Sequence, residues 1–208
     1  MIKRDTILAF INKASDIMNE NKEYLIELDA ASGDGDLGLT MSKGFAAGKE
    51  AAEASTEEDL GKLLFQIGSA IAKAAPSTMG TLMASGFLKA AKAFKGMTEL
   101  ADSDFAKFAG EYYTGIQERG KANPGERTLL DSLKPAWDAI AAAFEAGEAD
   151  LHKVAEIGYK AALEGVEATK EMVAMHGKTV VHRAKLQGVP DQGAIVGSLF
   201  YKAWAEIL

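Results

Sequence analysis

The chain has 208 residues, 48% of them hydrophobic and 25% charged, with a formal net charge of −7. That length suits one domain, here read as spanning 1–208, with enough apolar content for a real core. The acidic balance argues against general nucleic-acid binding. Cysteine is absent, which excludes disulfides, thiolate metal sites and cysteine nucleophiles. The three histidines, His152, His176 and His182, are too scattered for a zinc site.

In chain order, the opening "MIKRDTILAFINKASDIMNE" lacks a continuous apolar stretch and a small-residue cleavage site, so it reads as a helix of the mature protein. Ile7, Leu8, Ile11, Ala14 and Met18 mark its buried face. Further on, Leu60, Leu63, Leu64, Ile67 and Ile71 mark another helix, and "STEE" at 55–58 reads as a capping box ahead of it. Leu151, Val154, Ala155, Gly158, Ala161, Ala162, Gly165 and Met172 give a long helix with a small-residue face suited to close helix packing. Altogether the periodicity predicts about eight helices, near 3–20, 38–52, 57–75, 80–95, 102–118, 128–145, 149–174 and 192–207. β-branched alternation is nearly absent, so the fold class is all-α. No stretch approaches the roughly 20 apolar residues of a membrane span, and a cytoplasmic location with no membrane partner is the expectation.

The breaks at 21–37, 76–79, 119–127 and 175–191 carry the unusual chemistry. "LDAASGDGDLGLTM" at 28–41 places Asp29, Asp34 and Asp36 among glycines, directly before a helix start. Carboxylates this close repel one another unless a cation sits among them, and oxygen donors of this kind suit Mg²⁺. The helix start at Gly38-Leu39-Thr40 offers unpaired N–H groups and a positive dipole end to an anion. Together they describe a metal–polyphosphate site. The segment is not an EF-hand, since no glutamate closes a twelve-residue loop, and the P-loop pattern is missing.

"LDAASGDGDLGLTMSKGF" resembles the metal-binding loop of the dihydroxyacetone kinase L subunit, the nucleotide-binding DhaL family. "RGKANPGERTLLDSLKPA" at 119–136 and "GKTVVHRAKLQGVPDQGA" at 177–194 are similar to two further segments of that family, in the same order. The resemblance implies an antiparallel eight-helix barrel with the nucleotide, ADP or ATP, at one end and its phosphates held by two magnesium ions. It carries Asp29, Asp34 and Asp36 over as metal ligands. Leu37, Gly38, Leu39 and Thr40 correspond to the phosphate-side segment, and Thr78 and Met79 to the loop beside it. Gly120 and Leu129 correspond to the nucleotide pocket, Lys178 to a basic, catalytic contact, and Asp191, Gln192 and Gly193 to the closing loop.

The resemblance also implies partners. A separate K subunit binds the ketose covalently through a histidine, the L subunit delivers the terminal phosphate, and in phosphotransferase-linked versions a phosphohistidine subunit M rephosphorylates ADP in place. Departures from the pattern are Leu37 for a histidine or cysteine, "PSTMG" at 76–80 for a glycine-serine loop, Lys178 for arginine and "DQGA" for "DPGA". They leave open an L subunit for another small ketose or sugar, or a nucleotide-loaded regulator.

The segment 175–191, with Lys178, Arg183 and Lys185, has the composition of a flap closing over a polyphosphate. His182 reads as part of a solvated basic loop, and His152 and His176 as structural. Trp137 and Trp204 read as core or subunit contact. Arg127, after Pro124-Gly125, is suited equally to capping a helix or holding a carboxylate.

Overall fold

Helical segments dominate because apolar residues recur at three- and four-residue intervals along most of the chain. The computed structural model describes residues 1–31, 33–177, 180 and 186–208. Among these, the long helices are α1 (Arg4–Glu20), α3 (Leu37–Glu53), α4 (Leu60–Ala74), α5 (Thr78–Ala93), α6 (Asp104–Gly120), α7 (Leu130–Glu145), α8 (Leu151–Ala168) and α9 (Gln192–Ile207). A shorter helix, α2 (Lys22–Ala30), lies between α1 and α3, and a single 3₁₀ turn (Thr169–Glu171) continues α8. Two-residue strands β1 (Ile2–Lys3) and β2 (Glu99–Leu100) pair antiparallel, Ile2 opposite Leu100, tying the N-terminal residues to the segment before α6.

α1 packs on α3, and from there each long helix packs on the next through α8 to α9, which returns to α1. The interior of this succession is apolar. Phe10 of α1 stacks on Trp204 of α9 with centroids 3.9 Å apart, and Tyr112 of α6 stacks on Phe200 at 4.2 Å. α9 buries most of its residues, so its composition is apolar on nearly every side.

The small-residue face of α8 meets α7. A β-carbon at Gly158 would collide with Ile140, and one at Gly165 would sit 2.1 Å from the Asp131 carbonyl oxygen. Pro135 lies inside α7 and has no N–H to donate back to that carbonyl. Gly165 therefore packs where the ladder of α7 is already interrupted.

Three expectations are corrected. The stretch read as a break at 21–37 begins with α2, so Asp29 belongs to a helix end rather than a loop. "STEE" is not the capping box of α4. The cap is Asp59, whose carboxylate accepts the Lys62 N–H at 3.0 Å, while the backbone N–H groups that Ser55 and Glu57 accept are those of Glu57 and Asp59, ahead of the helix. The helix read to 174 ends at Ala168, where Thr169 turns its hydroxyl back to the Val166 carbonyl.

Candidate metal and nucleotide site

Asp29 ends α2 with its side chain turned into the following bend. Its Oδ2 accepts the N–H groups of Asp36 at 3.0 Å and Leu37 at 3.3 Å, so one buried carboxylate closes the turn and meets the start of α3. Gly33 is required by this closure, because a β-carbon there would fall 2.4 Å from Asp29 Oδ1. Gly35 adopts φ 71, the left-handed region that favours glycine. The turn brings one oxygen each of Asp29, Asp34 and Asp36 within 4.8 Å of one another, with Asp34 and Asp36 exposed. Two oxygens on opposite sides of one Mg²⁺ lie roughly 4.2 Å apart. Separations within this bound are compatible with one Mg²⁺, and the hard-oxygen donor set fits that ion.

The acidic turn forms one wall of a cavity of about 530 Å³, within the range for small-molecule sites. The first turns of four helices open onto this cavity: Leu37 and Thr40 of α3, Thr78 and Met79 of α5, Leu130 of α7, and Gln192 and Gly193 of α9. The first amides of a helix have no partner within it and carry the positive dipole end. Negative carboxylates and positive helix ends therefore face one space, the arrangement a cation–polyphosphate complex requires. Beyond the polar end the wall turns apolar, with Met79, Leu82, Ile116, Ala122 and Leu129.

Of the residues singled out from the sequence, Asp29, Asp34, Asp36, Leu37, Thr40, Thr78, Met79, Gly120, Leu129, Asp191, Gln192 and Gly193 line the cavity. Gly38 and Leu39 do not. Gly38 is the contact of α3 with α2, where a β-carbon would meet the Lys22 carbonyl oxygen at 2.0 Å, and Leu39 is exposed. Lys178, together with His182, Arg183 and Lys185 of the expected flap, lies outside the described residues.

The segment 123–131 contributes more than the sequence suggested. Asp131, buried, accepts the N–H groups of Gly125 and Thr128, while Thr128 Oγ1 accepts the Leu130 N–H at 3.2 Å. These bonds gather the backbone just before α7, whose N-cap is Leu129 with no side-chain cap bond, and their sequence signal is T-x-x-D at 128–131. Arg127, with φ 59, is buried within the cavity wall and donates from Nη2 to the Val189 carbonyl at 2.8 Å. His176 also lines the cavity and bonds Glu126, whose carboxyl it holds down at about 2. Asp191 caps α9 by accepting the Ala194 N–H at 2.8 Å. Its complete burial pushes its carboxyl up to about 6, against the lowering effect of that N–H and of Arg127.

A family model for the DAK2 domain matches residues 31–206, which contain this whole arrangement apart from the end of α2. The chain belongs to the DAK2 domain family. Over 193 residues it is 26% identical to the "PEP-dependent dihydroxyacetone kinase, ADP-binding subunit DhaL" of Escherichia coli, covering 93% of this chain and 91% of that one. It is 32% identical over 209 residues to the "L-erythrulose 1-kinase" of Mycolicibacterium smegmatis, covering 97% of this chain but only 35% of that protein. A crystal structure of the dihydroxyacetone kinase from C. freundii in complex with AMP-PNP and Mg²⁺ superposes with a TM-score of 0.71 at 22% identity, over 96% of this chain and 33% of that one. Against these two longer kinases, this DAK2 chain spans about a third of the length. The L-subunit resemblance carried by the three sequence segments thus agrees with relatives matched over nearly the whole chain.

Proposed function

We propose that this DAK2 chain is the Mg²⁺-dependent ADP/ATP-binding subunit of a dihydroxyacetone kinase, a phosphotransferase that acts with a partner subunit. The observation that carries the reading is the cavity where three carboxylates face the N-terminal ends of several helices. The closed succession of long helices supports an antiparallel eight-helix barrel, one domain over 1–208, with the nucleotide at the end formed by this cavity.

Asp29, Asp34 and Asp36 hold the metal. When bound, Mg²⁺ neutralises phosphate charge and stabilises the charge that develops during transfer. The positive N-terminal ends of α3, α5 and α9 orient the polyphosphate. The apolar wall of Leu82, Ile116 and Leu129 excludes water from the base and ribose. Arg127 and the capped start of α9 fix the far rim. Asp29 keeps its lone pairs directed because two backbone N–H groups already hold it. Lys178 supplies positive charge to the transferring phosphoryl group, in the flap expected over 175–191. No general base is assigned to this chain, because the acceptor hydroxyl belongs to a ketose carried on a separate K subunit. A phosphohistidine subunit M regenerating ATP in place accords with the "PEP-dependent" name of the Escherichia coli relative.

A second acceptor is favoured by a specific observation. Identity to the erythrulose kinase exceeds identity to the Escherichia coli subunit, and Leu37 and "PSTMG" alter the phosphate side. The test is calorimetric titration with ADP in Mg²⁺ and in chelator, followed by turnover with a K subunit on dihydroxyacetone and on erythrulose. Mg²⁺-dependent binding and turnover only in the presence of the K subunit are expected. Equal ADP affinity in chelator, or phosphorylation of dihydroxyacetone by the single chain, overturns the reading.

A further inference from the structure

Arg127 combines two local costs in one residue. Its backbone is left-handed although it carries a β-carbon, and the residue is 4% exposed, with Nε buried and without a partner among the described residues. Both are unfavourable taken alone, and such outliers persist where the surroundings over-determine them. The side chain forms part of the partition between the main cavity and a smaller one of about 200 Å³ that Lys170, Glu171 and Gln187 also line.

What Arg127 reaches is a short run of chain leading to the acidic cluster. Its Nη2 donates to the Val189 carbonyl. Two residues later Asp191 lies within its electrostatic influence, seated by its own N–H on Thr169 Oγ1 and by its Oδ2 on the Ala194 N–H, both at 2.8 Å. The next residue, Gln192, extends Nε2 to 3.4 Å from Asp29 Oδ1. A contiguous segment, 189–192, is therefore fastened by Arg127 at one end and meets the buried member of the carboxylate cluster at the other. Gly193 lets the segment run this close to the start of α7, since a β-carbon there would approach the Leu129 nitrogen to 3.2 Å.

We infer that Arg127 is a positioning residue for the metal–nucleotide site. By clamping 189–192 it holds Gln192 against Asp29 and couples the N-terminus of α9 to the carboxylate cluster, although it touches none of the three carboxylates. The inference rests on the proposed Mg²⁺–nucleotide reading and deepens it. A guanidinium presents several donors in a fixed fork, which suits one group facing both the Val189 carbonyl and Asp191.

The test is a double-mutant cycle on the full chain: Arg127→Met, Gln192→Ala and the pair, each titrated with Mg²⁺ and ADP by calorimetry. Arg127→Met is expected to weaken ADP about tenfold, and the pair to be no weaker than the worse single variant, because residues acting as one unit are not additive. Arg127→Lys, with one donor for the Val189 carbonyl, is expected to recover most of the loss. Losses that multiply in the pair, or full affinity in Arg127→Met, overturn the inference. Should Arg127→Met not fold, Arg127→Gln takes its place with the same criteria. Amide exchange over 191–195 in the unliganded protein separates the two levels. If the wild type binds no ADP, the nucleotide reading fails. The clamp itself still stands or falls by whether exchange there accelerates in the Arg127 variant.

Discussion

Helices α1, α5, α6 and α9 meet around an aromatic cluster, whereas α3, α5 and α9 begin around a cavity walled with carboxylates. In the first region Phe10, Phe87, Phe105, Phe108, Tyr112, Phe200 and Trp204 are almost fully buried against one another. In the second, the buried groups include Asp29, Arg127, Asp131 and Asp191, held by hydrogen bonds to backbone. α5 and α9 belong to both, packed aromatic rings along their length and polar first turns at their N-terminal ends. The contrast is one of physical division: non-directional burial stabilises the fold, while directional polar contacts fix a geometry at some cost in stability.

Four experiments can break or sharpen this contrast. The largest effect is expected in the aromatic region, where Trp204→Ala should destabilise the protein by about 3–5 kcal/mol through cavity formation. Urea unfolding followed by circular dichroism measures it, and a loss below about 1 kcal/mol would erase the distinction. Next is Asp191→Asn. The folded carboxyl titrates at about 6 against an ordinary 3.8, so the native state retains a proton that the unfolded chain loses as pH rises from 4 to 6. Stability from this group is present below pH 4 and falls by up to roughly 3 kcal/mol by about pH 6. Asparagine still caps the helix, so the variant should flatten that slope in unfolding curves measured from pH 4 to 7.

Asp34→Ala reverses the pattern of Trp204→Ala. Asp34 is exposed in the acidic cluster, so unliganded stability should change by no more than about 0.5 kcal/mol. ADP affinity in Mg²⁺ should nevertheless fall about a hundredfold, near 2.7 kcal/mol, by calorimetry. The smallest effect is expected from Glu126→Gln. His176 holds the Glu126 carboxyl at about 2 against an ordinary 4.5, so its contribution is present above pH 4.5 and lost as pH falls toward 2. The variant should show a shallower acid limb in stability, with little change at pH 7.

The sequence carried the helical scaffold well because apolar spacing along α1, α4 and α8 is strong and period-specific. It carried the acidic turn because three aspartates among glycines have few structural explanations. α2 escaped because, among nine residues, only Leu25 and Asp29 are buried, which leaves no apolar stripe to read. The cap of α4 was misplaced because Asp59 competes with Ser55, and only tertiary geometry decides, through the additional bond Asp59 accepts from Gly96. Asp131 and Thr128 were legible in principle as T-x-x-D. Arg127 was not, because its role depends on Val189, distant in sequence and brought near by the packing of α8 and α9 against α7.

The acidic turn is closed by Asp29 on the Asp36 and Leu37 amides, bonds that draw on protein groups alone. A site finished in this way has little conformational work left for a metal to do, unlike sites in which binding free energy is folding free energy. Under the proposed reading, Mg²⁺ alone would meet two exposed carboxylates and one that already accepts two backbone N–H groups. The nucleotide's own phosphates would then complete the coordination, so ion and nucleotide should enter and leave together. Residence time on this subunit would then be set by the nucleotide rather than by the metal.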